Sequence, residues 1–196
     1  MKNSNNNFGV ILLGCFCSML LFSACAPKGA KKSQRFYLKN EKSIAKTFQL
    51  YADLYHTQPL SLGFNDRSFK YPALEIKTDT QRYVLSTEQS SYIFPLAVEA
   101  FKYDTIKLRQ VYDSLRSLRC FWMGADKAYG KEKSYNTYFL SFGSVIDGNP
   151  FLDRKYFNVV WIDPMFLKEN PEMDPSRKGF YKIKNNVYYA IMDHYR

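Results

Sequence analysis

The sequence predicts an α+β domain, with two helices packed on a mainly antiparallel sheet of about five to seven short strands. Before Arg119, two stretches repeat apolar residues at helical spacing; beyond it the chain breaks into short aromatic and β-branched runs. Composition agrees, because the 16 Tyr and 16 Phe favour pleated, half-buried surfaces.

From Glu41 to about His56, the residues Ile44, Phe48, Tyr51 and Tyr55 fall at i, i+4, i+7 and i+11, on one narrow helical face. Asn40 offers a cap for this helix, and Thr57-Gln58-Pro59 ends it. "ALEIKT" and "RYVLST" alternate apolar with polar residues around Asp79-Thr80, which predicts a β-hairpin. Pro95 suits a first helical turn. Ala97, Ala100, Phe101, Leu108, Val111, Tyr112, Leu115 and Leu118 then share one side, so a second helix is expected from about Pro95 to Arg119, kinked near Asp104. "CFWMGA", "YNTYFLSFGSV", "KYFNVVWID", "FYKI" and "VYYAIM" follow as strands, separated by the turn-forming "DGNP" and "KNN". The longest irregular stretch runs from Pro164 to Gly179. Its three prolines argue against a regular helix or central strand, and its length makes it the first place to look for a binding surface.

Hydrophobic residues make up 46% of the chain and charged residues 23%, ordinary values for a globular protein and unlike a disordered one. No internal repeat is present, and residues 36–196 are read as one domain. The net charge of +10 raises the question of nucleic acid, but the basic residues are diffuse. Their one dense cluster, Lys28, Lys31, Lys32 and Arg35, adjoins an apolar segment, which points to a membrane surface and to no nucleic-acid partner.

That apolar segment begins the chain. Lys2 precedes a 15-residue uncharged run from Phe8 to Phe22, and Ser23-Ala24 supplies small residues before Cys25, the layout of a secretory signal peptide. The stretch "LFSAC" resembles the lipobox of bacterial lipoproteins, with Cys25 matching the modified cysteine and Ala24 the residue before the cut; Phe22 departs from the usual Leu. The resemblance covers only about the first 25 residues. It implies that residues 1–24 are removed as a signal peptide, that the Cys25 thiol carries a diacylglyceryl group, and that its new amine is acylated. "LLGC" would leave only Phe8 to Leu13 as apolar core before Cys15, and Cys17 follows the bulky Phe16.

The alternative is an uncleaved membrane helix from Phe8 to Ala26, 19 residues long, with the four basic residues after it holding the domain in the cytoplasm. On the lipoprotein reading, residues 25–35 are the lipidated cysteine and a flexible basic tether, able to extend to about 30 Å. No Asp follows Cys25 in the tether, which by the enteric sorting rule for lipoproteins implies the outer membrane of the cell envelope.

Catalytic constellations are scarce. The two histidines, His56 and His194, form no metal-spaced pair, so neither a metal nor a cofactor is expected. Cys120, in "RCFW", reads as a buried small hydrophobe rather than a nucleophile. "FGSVIDG" lacks the second glycine that a serine nucleophile turn needs around Ser144. Asp147, Asn149 and Asp153 read as a hairpin turn and not as a calcium loop. Lys102, Arg109 and Arg116 recur every seven residues with Asp113 beside them; a solvated helix face is the expectation, and an anionic glycan or phosphate site the alternative. Trp122, Trp161, Tyr188 and Tyr189 are expected to pack in the core, with stacking on sugar rings as the alternative.

Trp161, Asp163, Glu169, Glu172 and Asp174, around the long irregular stretch, are the candidate ligand-binding residues. The function expected is a lipid-anchored envelope protein that acts as a binding or interaction module; its ligand is not named by the sequence, and an envelope glycan or a membrane protein are the candidate partners. Two other readings remain: a small glycan or peptidoglycan hydrolase using those carboxylates, and a structural accessory subunit of a membrane complex.

Overall fold

In the computed structural model, residues 29–88, 93–146, 154–173 and 175–193 are described, and Lys31–Arg196 forms one unit. Its centre is an antiparallel sheet of eight strands: β1 (Leu60–Phe64), β2 (Pro72–Lys77), β3 (Arg82–Ser86), β4 (Trp122–Tyr129), β5 (Ser134–Ile146), β6 (Arg154–Ile162), β7 (Tyr181–Lys184) and β8 (Val187–Met192). They lie in the order β3-β2-β1-β4-β5-β6-β8-β7. Among the described residues four helices accompany them: α1 (Ala30–Thr57), α2 (Ile93–Ala100), α3 (Thr105–Leu118) and α4 (Pro164–Glu169). The α+β class is as the sequence indicates, while two helices become four and five to seven strands become eight.

Alternation fixes which side chains line each face. Leu62 pairs with Leu74 and Met123, Met123 with Leu140, and Leu140 with Val159, so one apolar row crosses five strands. Against this row pack Ile44, Tyr51 and Leu54 of α1 and Val111 and Leu115 of α3. Each of these helices is also fastened by a tyrosine. The buried Tyr51 hydroxyl donates to the Leu60 carbonyl, and that of Tyr112 to the Ala73 carbonyl at 2.7 Å. The opposite face carries a smaller core of Tyr135, Val160, Ile162, Tyr188 and Ala190, covered by Phe166 of α4 with Met173 and Phe180.

Four local expectations change. The first helix starts eleven residues before Glu41, at Ala30, and bends at Asn40 (φ −120°, ψ 16°), whose side-chain amide donates to the Phe36 carbonyl at 2.9 Å. The stretch expected as a tether is therefore helical from Ala30 onward; Phe36 stacks on Phe142 with centroids 4.0 Å apart, and Lys32 lies 4.5 Å over the Phe157 ring. The long second helix is two helices. Lys102 adopts a left-handed conformation (φ 55°), and the Asp104 carboxylate accepts from the Ile106 and Lys107 amides, restarting the helix as α3. In the Pro164–Gly179 stretch, Pro164 opens α4 with Asp163 as its cap, and a 3-10 turn spans Pro175–Lys178. Finally, β1 was not expected at all, and it is the strand that joins the first hairpin to the rest of the sheet.

The "DGNP" turn with Asp147, Asn149 and Asp153 lies outside the described residues, as do Cys15, Cys17, Cys25, Asp174 and His194. Among the described residues, no helix is long and apolar enough to cross a membrane.

The join between β1 and β4 is tight. A Cβ placed on Gly63 would lie 2.1 Å from the Phe121 carbonyl oxygen and 2.5 Å from Cε3 of Trp122, whose indole covers it; at Gly124 the nearest atom would be the Ser61 hydroxyl, 3.2 Å away. Gly63→Ala is expected to destabilise the protein by about 3 kcal/mol in urea unfolding, and Gly124→Ala by about 1 kcal/mol or less. Equal effects would show that the seam relaxes freely.

A candidate binding groove between two helices

The break between α2 and α3 creates a concave site. Phe94, Val98 and Lys102 recur every four residues along α2 and its end, while Thr105, Leu108 or Arg109, Tyr112 or Asp113, and Arg116 form the facing ridge of α3. With Pro72 at one side they enclose a groove of about 940 Å³, within the size range of small-ligand sites. Val98, Tyr103, Leu108 and Tyr112 are buried and form its floor. Glu99, Lys102, Arg109, Asp113 and Arg116 are exposed along its rim.

The rim charges differ in their engagements. The Arg116 guanidinium donates to Asp113 at 3.0 Å and to the Phe69 carbonyl at 3.3 Å, and lies 5.3 Å over the Phe64 ring. Lys107, on another side of α3, is turned to Asp53 at 2.9 Å. No ion pair or side-chain hydrogen bond is formed by Arg109 or Lys102 among the described residues. The seven-residue series Lys102, Arg109 and Arg116 thus edges a groove with an aromatic floor, where a plain solvated helix face was expected. The floor residues Phe94, Val98 and Tyr103 were not singled out in the sequence. The cap at Asp104, which restarts the helix and turns the two ridges toward each other, was the available signal.

The residues expected around the long stretch are dispersed. Trp161 is half-buried and lines a second groove, of about 330 Å³, with Tyr37, Phe48 and Tyr138 under α1. On the other face, Asp163 accepts from the Met165 amide at 2.8 Å as the cap of α4. Glu169 turns a buried Oε2 toward the Tyr135 region, and Glu172 is exposed. Neither groove is lined by these carboxylates. Trp122, Tyr188 and Tyr189 are buried core residues, as is Cys120, whose thiol faces the Leu118 carbonyl and is pushed well up by burial. His56 is exposed at the end of α1, and Ser144 accepts from Arg67 at 3.1 Å. No three His, Cys, Asp or Glu side chains converge as metal ligands among the described residues.

Comparison with protein-family models, with curated proteins and with solved structures found no match.

Burial raises several tyrosine hydroxyls of the two cores. Tyr51 and Tyr112 lie well above 10.0 through desolvation, and Tyr135 is pushed up to about 12 by burial and then by the Glu169 carboxylate. A raised folded-state value means stability is full below the unfolded value of about 10 and falls as the pH rises toward 12. Tyrosine absorbance at 295 nm and circular dichroism are therefore expected to change together above pH 10. A smooth titration centred at 10 with unchanged dichroism would contradict it.

Cys120 is expected to resist a soluble thiol reagent in the folded protein and to react fully in denaturant, as read by peptide mass mapping. Fast labelling of the folded protein would place the thiol in solvent.

Proposed function

We propose that the chain is an exported bacterial lipoprotein, held by lipid on Cys25 at the outer membrane of the envelope, and that it acts as a binding module through the α2–α3 groove. The observation that carries the binding role is that groove, an aromatic floor beneath two cations, Lys102 and Arg109, that hold no carboxylate among the described residues. The anchor rests on "LFSAC" after an uncharged run. Hydrolysis by loop carboxylates would need two of them across a cleft; Asp163 caps a helix and Glu172 points outward, which favours binding over turnover.

A second reading, the accessory subunit of a membrane complex, draws on β3. This edge strand exposes Tyr83 (41%) beside Leu96 (45%) of α2 and Val84 (50%) on its other face, apolar side chains at a sheet edge that pairs with no further strand among the described residues.

The anchor is checked by intact mass and membrane fractionation. Wild type should begin at Cys25 with added acyl mass, and Cys25→Ser should lose that mass and leave the membrane fraction. A wild-type chain still beginning at Met1 without acyl mass would sink the lipoprotein reading. For the groove, Thr105→Trp places a large ring on the exposed first residue of α3. It should abolish retention of any envelope glycan fragment or small molecule that the wild type holds, and unchanged retention would move the site elsewhere.

A further inference from the structure

Resting on the reading of the α2–α3 groove as the binding site, we propose that its ligand is a small amphipathic anion. A carboxylate or phosphate group is received by Arg109 with Lys102, and an apolar, flat body lies along Phe94, Val98 and Tyr112. The argument is one of charge complementarity over a particular floor. Of the basic side chains on α3, Lys107 is paired with Asp53, and Arg116 is held by Asp113, by the Phe69 carbonyl and over the Phe64 ring. Arg109 lines the groove with none of these engagements among the described residues. A guanidinium presents parallel donors that match a carboxylate or phosphate edge, so a planar anion is the group it recognises best.

The floor determines the rest of the ligand. It is aromatic and aliphatic, and the hydroxyl of Tyr112 is already committed to the Ala73 carbonyl while that of Tyr103 reaches the Gln58 carbonyl at 3.4 Å. The floor therefore has few polar atoms to offer, and a strongly hydrated body such as a bare sugar would lose hydrogen bonds there without replacement. A ring or short acyl body would lose none. Glu99 supplies the only rim carboxylate not paired with a basic side chain among the described groove residues, which disfavours polyanions and suits a singly or doubly charged head. Arg116 is a positioning residue: its engagements hold the far wall of the groove against β1 and the Phe69 turn.

The test uses the full chain in phosphatidylcholine nanodiscs, with empty discs as the blank, and equilibrium dialysis of paired probes. 2-Naphthylacetate has the anion and the ring, 2-naphthaleneethanol has the ring alone, and inorganic phosphate has the anion alone. Wild type should bind the acid more tightly than the alcohol, and millimolar phosphate should not displace the acid. Arg109→Gln should weaken the acid by roughly tenfold or more, to the level of the alcohol, and leave the alcohol unchanged. Equal affinity of acid and alcohol in wild type, or an equal loss of both in Arg109→Gln, would overturn the anionic class while leaving the groove as the site. Displacement by phosphate alone would overturn the need for an apolar body. Binding of both probes that is indifferent to Thr105→Trp would instead remove the groove itself, and the proposal with it.

Discussion

The architecture depends on how closely β1 can approach β4. The first hairpin, β2 with β3, belongs to the sheet only through β1, and β1 meets β4 over a short register of Leu62 with Met123 and Gly63 with Trp122, extended by the Phe64 amide donating to the Phe121 carbonyl. Gly63 has no side chain to keep the two backbones apart, and the indole of Trp122 fills the space on that side. On the opposite side Leu62 and Met123 continue the apolar row beneath α1 and α3. A backbone constraint on one face and a hydrophobic one on the other thus act at the same two residue pairs. The groove inherits this, because Pro72 on β2 is one of its walls and Tyr112 on α3 is fastened to Ala73 next to it.

The α+β class was legible because periodicity and composition agree along most of the chain. The hairpin around Asp79-Thr80, the C-terminal strands and the face of the first helix all follow from spacing alone. What failed to show has local causes. β1 is five residues long and contains Gly63, so its alternation is too brief to register, and its importance comes from pairing with a strand nearly sixty residues away. The start of α1 was hidden by charge: Lys31, Lys32 and Arg35 resemble a spacer, and the burial of Ser33 and Tyr37 with the packing of Phe36 on Phe142 reveals an amphipathic turn. α4 is legible in hindsight, since Asp163-Pro164 is a cap followed by a proline in the first turn.

The candidate site was half legible. The seven-residue repeat of Lys102, Arg109 and Arg116 stood out, but on one continuous helix those cations would face water in a row. Asp104 changes their meaning. By capping a new helix it turns α2 and α3 toward each other, and residues that would have been neighbours along a cylinder become opposite sides of a groove. The carboxylates near Pro164–Gly179 illustrate the converse. They are close in sequence to Trp161, yet the alternation of β6 sends Trp161 to the α1 face while α4 covers the other, so the sheet separates the tryptophan from Asp163 and Glu169.

The helical beginning of α1 alters how the domain would explore its surroundings if Cys25 carries the lipid. A chain free from Cys25 to Arg35 would let the domain roam a hemisphere roughly 30 Å in radius. With the helix starting at Ala30, only about four residues remain between anchor and helix, or roughly 15 Å of leash. The accessible volume shrinks roughly eightfold with the cube of that length. On that proposal the domain would keep a fixed neighbourhood, meeting what lies at the headgroups or diffuses to them rather than casting about for distant partners.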